Sequence, residues 1–185
     1  MRYIIGLLLG IGLIVLTFIL IFRAFSGGGT PKQQGINLSD YATSSVIMRY
    51  TIDGETVSDQ EHNKIRITVS RDQVLYEQVQ GYEGKLVVTK TYPNNTQAFS
   101  TFLRALEIAK FDTGNTTADK DERGYCPNGV RYLYEGIDAG DTLFRWWNTS
   151  CSKKQGSFLG NGSTVRSLFQ KQVPDYNPLA RKVNL

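Results

Sequence analysis

The chain opens with a long run of hydrophobic positions that no charge interrupts. Residues 3–22 read YIIGLLLGIGLIVLTFILIF, and Arg2 and Arg23 bracket this stretch. At about 1.5 Å per residue, such a helix spans about 30 Å, which matches the hydrocarbon core of a bilayer. The pattern therefore predicts a transmembrane signal-anchor helix within residues 1–25. The run is longer than the apolar region of a cleavable signal peptide, and no cysteine follows it that could carry a lipid.

A glycine-rich segment separates this run from the rest of the chain. Residues 26–36 contain three consecutive glycines, so we expect a flexible tether. Beyond it, hydrophobic and polar residues alternate in short segments with turn signals between them, as in an antiparallel meander. Four strands are predicted, over residues 46–52, 64–70, 74–79 and 86–92.

The hydrophobic spacing then changes to that of an amphipathic helix, with apolar residues three and four positions apart. The remaining predicted elements are a helix over 97–110, a polar loop over 112–124, strands over 130–135 and 142–148, and a last helix that begins at the N-cap Ser163. The order ββββ-α-ββ-α predicts an α+β domain over residues 37–178, with helices packed on one face of an antiparallel sheet. A short basic tail, residues 179–185, follows the domain.

The net charge adds little to this interpretation of the fold. The 185 residues include 21 Lys plus Arg and 17 Asp plus Glu, for a formal net charge of +4. No basic stretch has the pattern of a nucleic-acid-binding arm, so we expect no nucleic-acid partner.

The two cysteines indicate on which side of the membrane the domain lies. Cys126 and Cys151 both lie beyond the predicted anchor, and an even number of cysteines in such a domain indicates a disulfide and an oxidising compartment. We therefore expect a single-pass protein of the cell membrane with its C-terminal domain outside the cytoplasm.

A disulfide between these cysteines also suggests a register for the last two strands. If the cysteines oppose each other in the ladder, paired residues have numbers that sum to 277. Val130 then pairs with Trp147, and Tyr132 with Arg145. A bulge near residues 127–129 would change this pairing, so other registers remain open.

The same hairpin concentrates aromatic and arginine side chains. A ligand- or partner-binding surface is predicted from five of them: Arg131, Tyr132, Arg145, Trp146 and Trp147. Adjacent tryptophans in a strand point to opposite faces, so we expect one to be buried and the other to be near the surface. An exposed tryptophan beside an arginine can stack on a sugar ring or a peptide aromatic. The alternative is cross-strand aromatic packing covered by arginine stems.

Recognisable catalytic chemistry is missing from the sequence. The one histidine, His62, lies in a polar segment where we expect an exposed loop side chain. With one histidine and two paired cysteines, a His/Cys metal site is hard to assemble, and we predict no metal, no cofactor and no catalytic residue. Acidic residues are the remaining route, because two carboxylates at a suitable separation can hydrolyse glycosides. They cluster at Asp119, Asp121, Glu122, Asp138 and Asp141.

Three functions are compatible with these features. The first is an extracytoplasmic binding or scaffold domain of a cell-envelope complex, with a protein or cell-wall ligand. The second is an envelope hydrolase that uses paired carboxylates within residues 119–141. The third is a structural subunit of a membrane homo-oligomer, because Gly6 and Gly10 form a G-x-x-x-G pattern that lets two helices approach closely.

Overall fold

The computed structural model describes Thr17, residues 36–152 and residues 156–185. The described strands, in chain order, are β1 Ile47–Asp53, β2 Asn63–Val69, β3 Gln73–Gln80, β4 Lys85–Pro93, β5 Arg131–Asp138 and β6 Asp141–Thr149. They form one antiparallel sheet with the order β4-β3-β2-β1-β5-β6. The predicted meander and the predicted pair of later strands are both confirmed.

Helices complete the α+β architecture. Within residues 36–152 and 156–185 they are α1 Thr96–Ile108, α2 Gly162–Lys171 and α3 Tyr176–Ala180, and a short 3-10 helix covers Leu38–Tyr41. The pattern does not predict α3, because Pro174 and Pro178 are typical signals that helical structure ends. Pro178 is the third residue of α3 and lies in its first turn, where no backbone N–H is needed for the helix.

The core lies between one face of the sheet and the two longer helices. Tyr50 of β1 and Tyr134 of β5 are opposite each other in the ladder, and both rings pack against aromatic rings on the helical side of the sheet. The ring centroid of Phe169 in α2 lies 5.5 Å from that of Tyr50, and the ring centroid of Phe102 in α1 lies 5.1 Å from that of Phe169. Both helices therefore pack on the same face of the sheet, as predicted.

Caps fix where the helices begin. Asn95 accepts a hydrogen bond from the backbone N–H of Ala98 at 2.9 Å and starts α1. For α2 the predicted N-cap Ser163 is wrong. The Asn161 side chain accepts from the Thr164 N–H at 3.1 Å, so the helix begins two positions earlier.

The second face of the sheet is polar and holds cross-strand ion pairs. Arg66 and Glu77 are paired across β2 and β3, with Nε 2.7 Å from Oε2. Arg49 and Glu135 are paired across β1 and β5 at 4.0 Å. Such pairs suit a face that faces water, whereas the apolar residues of the same strands point to the helices.

The predicted disulfide forms, but the register inferred from it is wrong. Cys126 and Cys151 are bonded, with their Cα atoms 5.7 Å apart. Cys126 adopts a positive φ of 50° in a turn ahead of β5, so the bond joins two connecting segments instead of closing the ladder. In the ladder Arg131 pairs with Thr149, and Tyr134 with Trp146. This shift exchanges the faces on which the tryptophans lie.

The C-terminal residues pack against the sheet. Gln78 of β3 donates a hydrogen bond to the Leu179 carbonyl at 3.0 Å, and Asn63 of β2 donates to the Asn184 carbonyl at 3.1 Å. The Tyr92 hydroxyl donates to the Asp175 carboxylate just ahead of α3, and burial beside this carboxylate raises the pKa of Tyr92 to about 12. Residues 179–185, predicted to be a basic tail, are therefore held on the domain.

The predicted anchor lies outside the described residues. Of the helices in the described part of the chain, none is long and apolar enough to cross a membrane. Residues 3–22, apart from Thr17, and most of the tether 26–36 are not among the residues that the structure describes. The anchor and the tether stay predictions.

Candidate binding groove

The predicted hairpin surface does not form as one surface. Strand pairing places Tyr132 and Trp146 on the face that the helices cover, and it places Arg131, Arg145 and Trp147 on the opposite face. The five residues are thus divided between the two sides of the sheet.

Neither tryptophan is exposed. Trp146 is 5% exposed and Trp147 is 1% exposed, so the prediction that one of them lies near the surface is wrong. The physical reason is the 112–124 loop, which passes around β6. Trp146 donates its indole N–H to the Asp112 carbonyl at 2.9 Å on one face, and Trp147 donates to the Asp119 carbonyl at 2.8 Å on the other.

Arg145 is occupied by partners from the sheet and from the same loop. Its Nη2 lies 2.6 Å from Glu122 Oε2, its Nε lies 3.5 Å from Glu135 Oε1, and its Nη1 donates to the Lys120 carbonyl at 2.8 Å. The guanidinium therefore holds the loop on the sheet and has little capacity left for a ligand.

Arg131 is buried within the domain. Its Nε lies 3.2 Å from Asp53 Oδ2, and its Nη2 donates to the Gly54 carbonyl at 2.5 Å. Asp53 also contacts Lys64 at 3.3 Å and the Nε2 atom of His62 at 2.9 Å. His62 is fully buried, so the prediction of an exposed loop histidine is wrong. Alternation could not show this, because Asp53, nine positions earlier in the chain, lies next to His62 only in the folded sheet.

Arg145 and Trp146 line a depression of about 290 Å³ beside β6. Tyr132 reaches a wider concave surface. It lines a groove of about 1040 Å³ between the ends of β5 and β6 and the start of α2. The lining also includes Lys110, Tyr134, Asn148, Ser163 and Arg166. A smaller depression of about 330 Å³ lies on the opposite face of the sheet. Its lining includes Arg66 and Glu77, which are paired with each other.

Tyrosines and asparagines shape this groove. Tyr134 donates its hydroxyl to Asn148 Oδ1 at 3.0 Å, and burial raises the pKa of Tyr134. The Tyr134 ring also stacks on Phe158, with 3.8 Å between the centroids. The Cβ that would be added at Gly162 lies 3.0 Å from the Tyr134 hydroxyl, so the start of α2 lies close to the groove.

Arg166 is the groove residue that the sequence pattern did not indicate. Its guanidinium carbon lies 4.4 Å from the centroid of the Tyr132 ring, a cation–π contact. The residue lies on α2, and its approach to Tyr132 depends on how α2 packs on the sheet. A single arginine on an amphipathic helix gives no signal of this contact.

Four of the five acidic residues named for the hydrolase alternative have side-chain partners in the described structure. The Arg123 guanidinium lowers the pKa of Asp121 to about 2, and Asp119 accepts a hydrogen bond from the Tyr125 hydroxyl. Asp138 accepts from Ser45, and Glu122 pairs with Arg145. A glycosidase acid needs a raised pKa, whereas the pKa of Asp121 is lowered. In the described residues, no group of three or more His, Cys, Asp or Glu side chains could hold a metal ion.

Comparison with known proteins gives no assignment, because no family model matches the chain and no curated protein matches it in sequence.

Proposed function

We propose that the chain is a single-pass membrane protein whose extracytoplasmic α+β domain binds a ligand or partner in the groove beside α2. The observation that carries the proposal is the groove itself. Tyr132, Asn148 and Arg166 converge there from two strands and a helix. A concave surface with a few converging polar groups is the usual form of a binding site.

Two further features support the location outside the cytoplasm. The uncharged run of residues 3–22 has the length of a membrane span, and the Cys126–Cys151 bond belongs to an oxidising compartment. An anchor and a disulfide together fit a domain that binds at the outer surface of a membrane.

Photocrosslinking in intact membranes tests the proposal. A photoreactive amino acid is placed at Leu159, which lines the groove, and in a separate chain at Leu86, which lies on the edge strand β4. Both side chains are 52% exposed, so they are equally accessible to random collisions. We expect a discrete adduct from position 159 and none from position 86.

The opposite pattern would overturn the proposal. Equal adducts from both positions would show collisions alone, and adducts from position 86 only would move the binding surface to the β4 edge. A full-length chain in its own membrane is used, because the anchor is part of the proposal.

A further inference from the structure

Arg166 has polar capacity that its own domain does not use. Its Nε atom is buried without a hydrogen-bond partner in the described part of the chain. The Tyr50 hydroxyl interacts with the guanidinium, but not through a well-formed hydrogen bond, because the Tyr50 oxygen and the Arg166 Nε both lack a partner at hydrogen-bond geometry. A buried donor without a well-formed hydrogen bond costs free energy.

The charges around Arg166 differ from those around the arginines of the sheet. Those arginines each pair with a carboxylate: Arg49, Arg66, Arg131 and Arg145. Among the residues that the structure describes, no carboxylate forms an ion pair with Arg166. The neighbours that act on its charge are the tyrosines Tyr50, Tyr132 and Tyr134.

The lining of the groove carries one sign of charge. Lys110 and Arg166 both line it, and its described lining contains no aspartate or glutamate. A half-buried guanidinium against tyrosine rings is only weakly shielded by water, which strengthens its attraction for an anion. A neutral or cationic ligand would leave this charge uncompensated.

From these contacts we propose that Arg166 anchors a subsite for an oxyanion, which is a carboxylate or phosphate group of the ligand. The inference rests on the function proposed above and names the chemistry of its ligand. The planar guanidinium fork matches the two oxygens of such a group, and its contact with Tyr132 holds the plane in place. Lys110 adds a second positive charge to the same groove.

The test follows the side-chain Nε–H resonance of Arg166 in the full-length chain in nanodiscs of neutral lipid. Inorganic phosphate and sodium acetate are the probes, and sodium chloride at equal ionic strength is the reference. We expect saturable shifts of Arg166 and of backbone amides around Ser163 with at least one of the two oxyanions. Arg166→Met should weaken this binding by at least about tenfold, because a charge-assisted hydrogen bond is lost.

A matched control removes the same charge elsewhere. Arg104 is an exposed residue of α1 that does not line the groove, so Arg104→Met should leave the shifts unchanged. If the Met variant of Arg166 does not fold, Arg166→Lys keeps the charge without the fork and should still weaken binding severalfold. The proposal would be overturned if the Met variants of Arg104 and Arg166 lost oxyanion binding to the same extent, or if the shifts with oxyanions were no larger than those with chloride.

Nanodiscs that contain phosphatidylglycerol separate two sources of the anion. Shifts of Arg166 without added phosphate would identify a lipid headgroup, and their dependence on added phosphate or acetate would identify a soluble group. An adduct from position 159 with no oxyanion effect would leave the groove as a binding site and refute only its anionic ligand. If neither the adduct from position 159 nor the oxyanion-dependent shifts are observed, the groove is refuted as a binding site as well.

Discussion

Trp146 and Trp147, neighbours on β6, donate their indole N–H groups to one loop from opposite faces of the sheet. The acceptors are the carbonyls of Asp112 and Asp119, at 2.9 Å and 2.8 Å. The loop therefore passes around the β6 edge and covers a side that would otherwise be open. Tyr125 packs on Trp147 with 4.8 Å between the ring centroids and extends this cover.

This relationship predicts that Trp147 stabilises the folded domain. Trp147→Ala should lower the free energy of unfolding by about 3–5 kcal/mol, because it leaves a cavity under the loop. Urea unfolding followed by circular dichroism measures the loss. The control is Leu159→Ala, whose side chain is 52% exposed and whose replacement should change stability by no more than about 0.5 kcal/mol. A Trp147 variant as stable as the Leu159 variant would contradict the buried position.

Arg131 should also contribute to the stability of the fold. Arg131→Met leaves the Asp53 carboxylate without its arginine partner, and breaking a buried pair in this way costs about 3–5 kcal/mol. The double variant Asp53→Asn with Arg131→Met should recover part of that loss, because no buried carboxylate then lacks its arginine, and Lys64, the other cation beside Asp53, is partly exposed to water. Arg123→Met is the control, since the Arg123 side chain is 85% exposed and its variant should unfold at an unchanged midpoint. A double variant less stable than the single one would argue against the pair.

Asp112 gives a prediction for pH. Burial raises the pKa of Asp112, and its Oδ2 atom has no hydrogen-bond partner in the described structure. A raised folded pKa means that the neutral acid stabilises the fold below the unfolded pKa of about 4, and that this stability is lost as the pH rises through the folded pKa.

Asp112→Asn stays neutral and should avoid that loss. Its stability relative to the natural chain should increase as the pH rises from about 4 through the folded pKa of Asp112 and then level off. Urea midpoints at several pH values measure this difference. A constant difference across that range would show that the ionisation of Asp112 is not linked to folding.

The disulfide predicts a specific redox state in cells. If the domain is extracytoplasmic, a small membrane-permeant maleimide added to intact cells should not modify Cys126 or Cys151. After denaturation and reduction, a maleimide–polymer reagent should then modify both thiols, seen as two shifts on a gel. Modification of both before reduction would place the domain in a reducing compartment and would contradict the proposed location.

The strands and the two longer helices were predictable because each depends on local periodicity, whereas the short helix α3 was not. Ile65, Ile67 and Val69 alternate with polar residues, and the structure buries all three. In the same way, the three- and four-residue spacing of Phe99, Phe102 and Leu103 placed the buried face of α1 correctly. Local patterns of this kind do not depend on what the rest of the chain does.

The site was less predictable because its exposure depends on distant segments. No pattern in β6 shows that a polar loop will cover Trp147, and none shows that His62 will contact Asp53. Arg166 reaches Tyr132 only through the packing of α2 on β5. The sequence pattern thus predicts the hairpin correctly but places three buried side chains, those of Arg131, Trp146 and Trp147, on its surface.

The most direct test of binding in the groove combines the photocrosslinker at Leu159 with changes of charge in one full-length chain. The adduct yield is measured in intact membranes for the unchanged background, for Arg166→Met and for Arg104→Met. We predict an adduct in the unchanged and Arg104→Met chains and its loss in Arg166→Met, with all three chains equally folded. An adduct whose yield does not depend on Arg166 would contradict the role of this arginine, and no adduct in any chain would contradict the groove.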